Sequence, residues 1–305
     1  MKRNKIQKFI AWAGCHGKFD WLSDEKYLKL MFWARMSRKL NLENPQLFNE
    51  KIQWLKLNDR QKKYVSIVDK YEVRNYLSDL LDPKYIIPLV GGPWDNFDEI
   101  DFNLLPSSFV LKCTHDSGGV VVCKDKKTFN MEEARKKNND SLARDYYKYS
   151  REWPYKEIPH RIIAEQYLVD DQSDELKDYK IMCFNGKPDN VMVCTGRFSG
   201  GVKYYFFDRE WKFLKYNHGD ETLPDNFTIK KPNHLDEMFE IAEKLSAGFD
   251  LARVDLYEAN DQVWFGEITL YPDSGYDTDI LESTDKIFGD KLFLTKMTRG
   301  INNAK

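Results

Sequence analysis

Residues 251–271 read LARVDLYEANDQVWFGEITLY. Arg253 and Asp255 alternate with Ala252, Val254 and Leu256, so a period of two sets the charges on one face of a strand and the apolar side chains on the other. Glu267 and Thr269 share a face of a second strand, and Glu258-Ala259-Asn260-Asp261 suits the hairpin between them. If the register brings the polar faces together, an Arg, two carboxylates and a hydroxyl line one cavity. A slip of one residue disperses them, and the sequence alone leaves the register open. Two carboxylates with a hydroxyl are hard oxygen ligands suited to magnesium bridging phosphates. An adjacent Arg suits charge developing on a transferred phosphoryl group. The competing reading is an exposed strand pair with a salt bridge.

The chain has 305 residues, enough for one large or two ordinary domains. Its 42% hydrophobic and 14% aromatic content supports a substantial core. With 47 basic and 49 acidic residues the net charge is −2, which gives no electrostatic case for general nucleic-acid binding but leaves room for a local basic pocket. Cys15, Cys113, Cys123, Cys183 and Cys194 are odd in number and form no CxxC, which points to a reducing compartment without structural zinc or a disulfide framework. No apolar run approaches the roughly 20 residues that span a bilayer. The basic start, MKRNKIQKFIAWAG, has too short an apolar part for a signal sequence, so a cytoplasmic location is expected. Such a basic, aromatic helix can either touch a membrane surface or dock on its own domain.

Along the chain, residues 1 to about 60 read as helical, with Tyr27, Leu28, Met31, Phe32 and Ala34 to Met36 at helical intervals. Asn49 is expected to cap a second helix that buries Ile52, Trp54 and Leu55. KKYVSIVDKYEVRNYLSDLL reads as one further helix ending before Pro83, and YIIPLVGGPWDNF as a short strand followed by a Gly-Gly-Pro turn. Strands are expected over 109–114, 119–124 and 161–168, a single solvent-facing helix over 131–150, and a hairpin 178–185/190–195 about the turn NGKP. Further strands follow at 203–208 and 211–214. Asn233 is expected to cap a helix with the stripe Leu235, Met238, Phe239, Ala242 and Leu245, which Gly248 ends. After the opening strand pair come the loop YPDSGYDTD and a helical tail. Hairpins with flanking helices, without regular βαβ alternation, indicate an α+β class with mainly antiparallel sheets.

Three other stretches carry candidate chemistry. In FVLKCTHDSGGVVVCKD, glycines let backbone N–H groups approach phosphate oxygens, and Lys112 on the preceding strand can reach the same phosphates. An ordinary hairpin would use the same glycines. In IIAEQYL, Glu165 can accept from an exocyclic amine while Tyr167 or Leu168 covers a flat ring. Asp178 suits two ribose hydroxyls, with Lys180 on the same face. In VDKYEVRNYL, Asp69, Lys70 and Arg74 fall at helical spacing, which also describes a solvated helix face.

Taken in order, FNEKIQWLKL, VDKYEVRNYL, FVLKCTHDSGG, AEQYL, DYKIMCFNGKP and RVDLY…FGEITLYP resemble the ATP-grasp superfamily, whose two α+β lobes grip ATP. The resemblance covers roughly residues 45–275 and is closest to the TupA-like branch, found in bacterial surface-polysaccharide gene clusters. It implies an N-terminal helical segment, 1–65, and an ATP-grasp-like domain, 66–305, with a smaller nucleotide lobe about 106–170 and a larger metal-binding lobe about 171–280. It further implies that Lys70 and Lys112 hold ATP phosphates under a mobile Ser117-Gly118-Gly119 loop. Glu165, Gln166 and Leu168 would surround adenine, and Asp178 and Lys180 the ribose and phosphates. Asp255, Glu267 and Thr269 would ligate one or two magnesium ions, and Arg253 would stabilise the transferred phosphoryl group. Thr269 stands where most of the superfamily has Asn, and the N-terminal part lacks the usual α/β pre-domain.

The reaction implied is transfer of the γ-phosphoryl group of ATP to a carboxylate, then attack of an amine on the acyl-phosphate to give an amide. The Ser117–Gly119 loop would be the lid, and Ser274 and Gly275 would offer donors to an oxyanion. The implied substrates are an amino acid or amine and a uronic acid, or an amino acid and an amino sugar, of a capsule or related glycan. Peripheral contact with membrane-bound glycan machinery at the inner face of the membrane would accompany them. Two other readings stand beside this one. Asp277-Thr278-Asp279 is the D-x-D of a metal-dependent glycosyltransferase, and a non-catalytic glycan-binding protein could use the same scaffold.

Overall fold

Capping and side-chain competition for backbone groups decide where the helices run. The computed structural model describes residues 3–170, 176–196 and 201–297. Helix α1 (Lys5–Cys15) starts with a reciprocal cap: Asn4 Oδ1 accepts from Gln7 N–H at 2.9 Å and Gln7 Oε1 from Asn4 N–H at 2.9 Å. Helix α2 (Asp24–Met36) buries Tyr27, Leu28, Met31 and Phe32, as its spacing predicts. Helix α3 (Phe48–Asn58) does not begin at Asn49. Asn49 lies inside it, fully buried, with its amide donating to Asp285 Oδ1 at 3.0 Å and Asp277 O at 3.3 Å. Glu50 secures the helix start by accepting from Gln46 and Leu47 N–H.

The long helix expected next is two short ones, α4 (Lys63–Val68) and α5 (Val73–Ser78). Asp69 divides them because its carboxylate takes the N–H groups of Tyr71 at 2.7 Å and Glu72 at 3.1 Å, displacing the helical pattern. Lys70 therefore sits in the break and does not share a helix face with Arg74.

The smaller sheet contains β1 (Leu89–Trp94), β2 (Phe109–Cys113) and β3 (Val120–Cys123), followed in the chain by helices α6 (Met131–Leu142) and α7 (Tyr146–Ser150), and then β4 (Ile162–Gln166). Its order is β1-β4-β2-β3, antiparallel throughout. Gly91-Gly92-Pro93, expected as a turn, belongs to β1, an edge strand where a missing proline N–H is tolerated. The single helix expected over 131–150 breaks where Asp145 caps α7, and α6 is not solvent-facing throughout: Ala134, Asn138 and Ser141 are buried. Phe109, Leu111, Cys113, Ile162 and Ala164 pack with Ala134 as this lobe's core.

The larger sheet contains β5 (Asp178–Phe184), β6 (Lys187–Thr195), β7 (Lys203–Phe207) and β8 (Phe213–Leu214); after helix α8 (Leu235–Ser246) come β9 (Leu251–Ala259) and β10 (Gln262–Thr269), and then helix α9 (Glu282–Lys291). The strand order is β10-β9-β5-β6-β7-β8, again antiparallel. β6 begins at Lys187 because Asn185 and Gly186, at φ 51° and 77°, make a tight two-residue turn. The expected strand 211–214 starts late, since Trp211 occupies a turn at φ 67°. Asn233 is not the cap of α8; His234 is, its N–H held by Glu258 Oε1 at 2.9 Å. Gly248, at φ 80°, ends that helix as expected. Met238, Phe239 and Ala242 of α8 cover Ile181, Val191, Val254 and Leu256 on one sheet face. Helix α3 is tied to the C-terminal half: Lys51 Nζ donates to Gly289 O and Leu292 O, both at 2.7 Å. All five cysteines are free thiols.

Candidate active site

Strict alternation would put Glu267 on the same face as Val263 and Phe265, which are core residues. It does not do so because β10 carries one extra residue. Phe265 pairs with Leu256 and Glu267 with Asp255, so Gly266 is a bulge and every later residue changes face. Ile268 and Leu270 then join the core, while Glu267 opposes Asp255 and Thr269 opposes Arg253. Only glycine fits: a Cβ at Gly266 would lie 2.9 Å from Asp255 O and 3.0 Å from Tyr257 Cε2. On the other side of β9, Lys180 of β5 pairs with Asp255 and Asp178 with Tyr257, extending the polar face across three strands.

The charges on this face form one network. Arg253 Nε donates to Asp255 Oδ1 at 2.7 Å and its Nη2 to Asp255 Oδ2 at 2.8 Å; Nη2 also reaches Thr269 Oγ1 at 3.1 Å and Glu267 Oε1 at 3.4 Å. Lys180 Nζ contacts Asp255 Oδ2 and lies 2.6 Å from Asp178 Oδ2. Burial alone would raise the Asp255 carboxyl, but Arg253 and Lys180 outweigh it and hold it below the ordinary range. Burial would likewise lower the two cations, yet the Asp255 charge keeps both above their usual values. The five side chains Asp178, Lys180, Arg253, Asp255 and Glu267 sum to one excess negative charge. Glu267, 45% exposed, is the most accessible of the three carboxylates. A surplus negative charge presented through hard oxygens fits a divalent cation of the magnesium type. Among the described residues, this face included, no three or more His, Cys, Asp or Glu side chains are gathered closely enough to hold a metal by themselves, so a cation here would share its oxygens with a bound phosphate or water.

On the smaller sheet Lys112 and Val110 face away from that lobe's core, together with Val120, Val122, Ile163 and Glu165. Glu165 is buried between two cations, 2.5 Å from Lys112 Nζ and 2.7 Å from Arg74 Nη2. Burial would raise its carboxyl, and Lys112 and Arg74 together bring it below the usual range. Gln166 is exposed at the strand end and Leu168 half-buried. The Ser117–Gly119 turn is held from below: Asp116 Oδ1 accepts from Gly119 N–H at 3.3 Å and its Oδ2 contacts Ser141 Oγ. A Cβ at Gly119 would collide with Ser141, so that glycine serves the packing against α6. Gly118, at φ 121° with open space around it, is the glycine that faces the cleft.

Two cavities result. One, about 800 Å³, lies between the sheets and is lined by Lys70, Lys112, Ser117, Gly118, Asp178, Lys180, Asp255 and Glu267. Gly119, Glu165, Gln166 and Leu168 are not on its wall. The second, about 630 Å³, is walled by Tyr146, Tyr149, Glu152, Tyr155, Arg253, Thr269, Asp273 and Ser274. Lys70, Ser117, Lys180, Gly266 and Glu267 line both, so the cavities share one boundary.

A family profile described as TupA-like ATPgrasp matches residues 50–293. The chain belongs to the TupA-like ATP-grasp family. The antiparallel lobes with a cleft between them are accordingly an ATP-grasp fold. Among solved structures, D-alanine–D-alanine ligase from Helicobacter pylori is similar at 17% identity, covering 81% of this chain and 69% of the other with a TM-score of 0.43. The Bacillus anthracis D-alanine–D-alanine ligase complexed with ATP matches at 16% identity over 78% of this chain and 68% of its own, with a TM-score of 0.39. None of the curated proteins compared matches the chain.

The second cavity of this TupA-like protein contains residues that the motifs did not signal. Tyr146 and Tyr149 belong to the stretch read as plain surface helix, Glu152 and Tyr155 to the segment just after it, for which no element is expected, and Arg35 to an N-terminal segment without an assigned role. No local pattern marks them, because they converge only in three dimensions. Ser274 lines the cavity, with its N–H engaged by Tyr271 O at 2.8 Å, so that any donor it offers there is its hydroxyl. Its hydroxyl accepts from the buried Lys56 Nζ at 2.7 Å and also bonds Glu152. Burial drives the Lys56 ammonium down to about 7 and raises Glu152, each charge opposing the other's shift. Gly275 is off the cavity wall, pressed against Ile52 and Gln53 of α3.

Asp277 is not a free member of a D-x-D pair; its Oδ1 holds a turn by accepting from Asp279 N–H at 2.8 Å and Ile280 N–H at 3.3 Å. Burial, then the neighbouring Asp273 charge, pushes its carboxyl up to about 7. A raised carboxyl binds its proton more tightly in the folded state. Its stabilisation is full below the unfolded value near about 4 and is lost as pH rises through about 7. Thermal stability is therefore expected to decline from about pH 5 to about pH 8 more steeply in the wild type than in Asp277→Asn. Melting curves across that range check it, and identical slopes would remove Asp277 as the cause.

Proposed function

We propose that this protein is an ATP-dependent carboxylate–amine ligase in which ATP occupies the inter-sheet cavity and the substrates occupy the second one. The observation that supports the reading is the shared boundary at Lys70, Ser117, Lys180, Gly266 and Glu267, across which a γ-phosphoryl group on one side would meet a carboxylate on the other. Asp255 and Glu267, with Thr269, would hold magnesium, which when bound neutralises phosphate charge. Lys112, Lys70 and Gly118 bind and orient the phosphates, Lys112 being kept in place by Glu165. Asp178, on the wall of the same cavity, would hold the ribose. Glu165, Gln166 and Leu168, off the cavity wall, are assigned to the edge of the adenine site. Arg253, fixed on Asp255, faces the transferred phosphoryl group and then the acyl-phosphate oxygens. The tyrosine-rich wall would exclude water from the acyl-phosphate, and Glu152 on that wall would take the proton that an attacking ammonium must shed. Aromatic side chains beside Asp273 and Asn217 suit a hydroxyl-rich sugar ring, which supports a uronic acid or amino sugar of a surface polysaccharide as one substrate.

The decisive assay is ADP release from magnesium-ATP across a matrix of uronic acids, amino acids and amino sugars. ADP that appears only when a carboxylate and an amine are both present supports the ligase. ADP with the carboxylate or a hydroxyl compound alone would make it a kinase, and UDP release from a nucleotide sugar would replace the reading altogether. In the same assay Lys112→Ala is expected to raise the magnesium-ATP requirement about 10- to 100-fold, the worth of a hydrogen bond to a charged group. An unchanged requirement would move the phosphate site elsewhere.

A further inference from the structure

Helix α1 is held by one face and turns two kinds of side chain outward on the other. Gln7, Ala11 and Gly14 are buried; Gln7 Nε2 donates to Trp33 O at 3.0 Å, and a Cβ at Gly14 would collide with Met31. On the outer face Ile6, Phe9 and Trp12 follow one another every third residue, 64%, 62% and 51% exposed. Trp21, just beyond the helix, is 79% exposed. Arg3, Lys5, Lys8 and Lys18 are exposed beside them, and Asp20 is the one acidic residue among residues 3–20. Large apolar side chains gain nothing from water, and scattered singly they would need no account. Here they form one stripe interleaved with cations.

We propose that this face docks the protein on an anionic phospholipid bilayer, with α1 lying in the surface plane. Phe9, Trp12 and Trp21 enter the headgroup–acyl boundary, where aromatic rings are favoured, and the basic side chains meet the lipid phosphates. Charge complementarity selects this occupant over a second copy of the chain, whose identical basic stripe would be repelled. The geometry gives docking a consequence. Arg3, Lys8 and Trp12 form one wall of a cavity of about 490 Å³ whose other wall includes Asp273, Asp277 and Asp279. Those three aspartates and Arg35 also line the substrate cavity, so docking brings its mouth to the bilayer. If the ligase reading holds, on which this last step rests, one substrate is a membrane-borne glycan.

The test needs neither ATP nor the substrate. The full chain is sedimented with phosphatidylcholine vesicles prepared with and without phosphatidylglycerol, at low and high salt. Binding is expected only to the anionic vesicles, with a blue shift of tryptophan emission, and is expected to weaken as salt screens the charges. Lys5→Gln should lower vesicle partition about fivefold, and Phe9→Ser with Trp21→Ser on the order of tenfold or more. Circular dichroism and the melting temperature should be unchanged in these variants, which shows that they fold. Absence of wild-type binding to anionic vesicles would overturn the proposal, as would equal binding by the variants. A wild-type dimer that Phe9→Ser dissociates, without vesicle affinity, would make the face a contact between copies instead.

Discussion

Replacing Asp255 by Asn is expected to destabilise the protein by about 3–5 kcal/mol, because it leaves Arg253 and Lys180 buried without their shared counter-charge. Both cations are about nine-tenths buried, at 10% and 9% exposure, and after the change Asp178 is the acidic group left against Lys180, with Glu267 and Asp273 further from Arg253. For a chain of this size that loss lowers the melting temperature on the order of 10 °C. The sign with pH follows from the lowered carboxyl. Its contribution is full above the unfolded value of about 4 and is lost as pH falls through the still lower folded value, so wild type and variant converge in strong acid. Magnesium-ATP binding is expected to disappear in the same variant. Thermal melting together with titration calorimetry separates the two effects when Lys180→Met is added. Removing one orphaned cation should restore part of the stability and none of the metal-dependent nucleotide binding. Recovery of both would mean that Asp255 is a structural counter-ion and nothing more.

The second large effect is expected at Gly266. In Gly266→Ala the added Cβ would meet Asp255 O at 2.9 Å, and backbone cannot give way without moving β9. Steric overpacking of this kind costs about 1–3 kcal/mol. Displacing Asp255 and Glu267 by a fraction of an ångström or more is expected to cost roughly 100-fold in turnover. Circular dichroism should show an intact fold, while the rate of ADP release falls and the magnesium concentration required rises. Wild-type kinetics in Gly266→Ala would show that the bulge does not govern the metal-site geometry.

Alternation along Leu251–Tyr257, the stripes of α2 and α8, the Asn185-Gly186 turn and the polar spacing around Lys112 and Asp178 are local features. Each follows from a repeat of two or of 3.6 residues, or from a residue that accepts positive φ, and a chain carries that information in its own order. Hence the α+β class and the antiparallel hairpins were legible without coordinates, and so were Lys112, Asp178, Asp255 and Glu267 as candidates that the fold brings to one cavity wall. The helix starts were misjudged at Asn49 and Asn233 for a physical reason: a polar side chain near a helix end can cap it or reach across the molecule. Asn49 does the latter, to Asp285 and Asp277, through contacts no window of sequence contains. The broken helices at Asp69 and Asp145 are the converse case, where a local carboxylate took backbone groups that periodicity assigned to a continuous helix.

By itself the sequence determined that Arg253 and Asp255 share a face, that Glu267 and Thr269 share another, and that both belong to one hairpin. Only the tertiary structure decided that these faces are the same one. Packing of Val263, Phe265, Ile268 and Leu270 into a single core forces the bulge at Gly266, which turns Glu267 towards Asp255. The pairing of Glu165 with Lys112 and Arg74, and the second cavity assembled from Arg35, Tyr146, Glu152 and Ser274, were likewise decided there. Spacing along a chain encodes which way neighbouring side chains point. Which distant charges and surfaces meet is set by burial, since a buried charge must find its partner wherever the packed core places it.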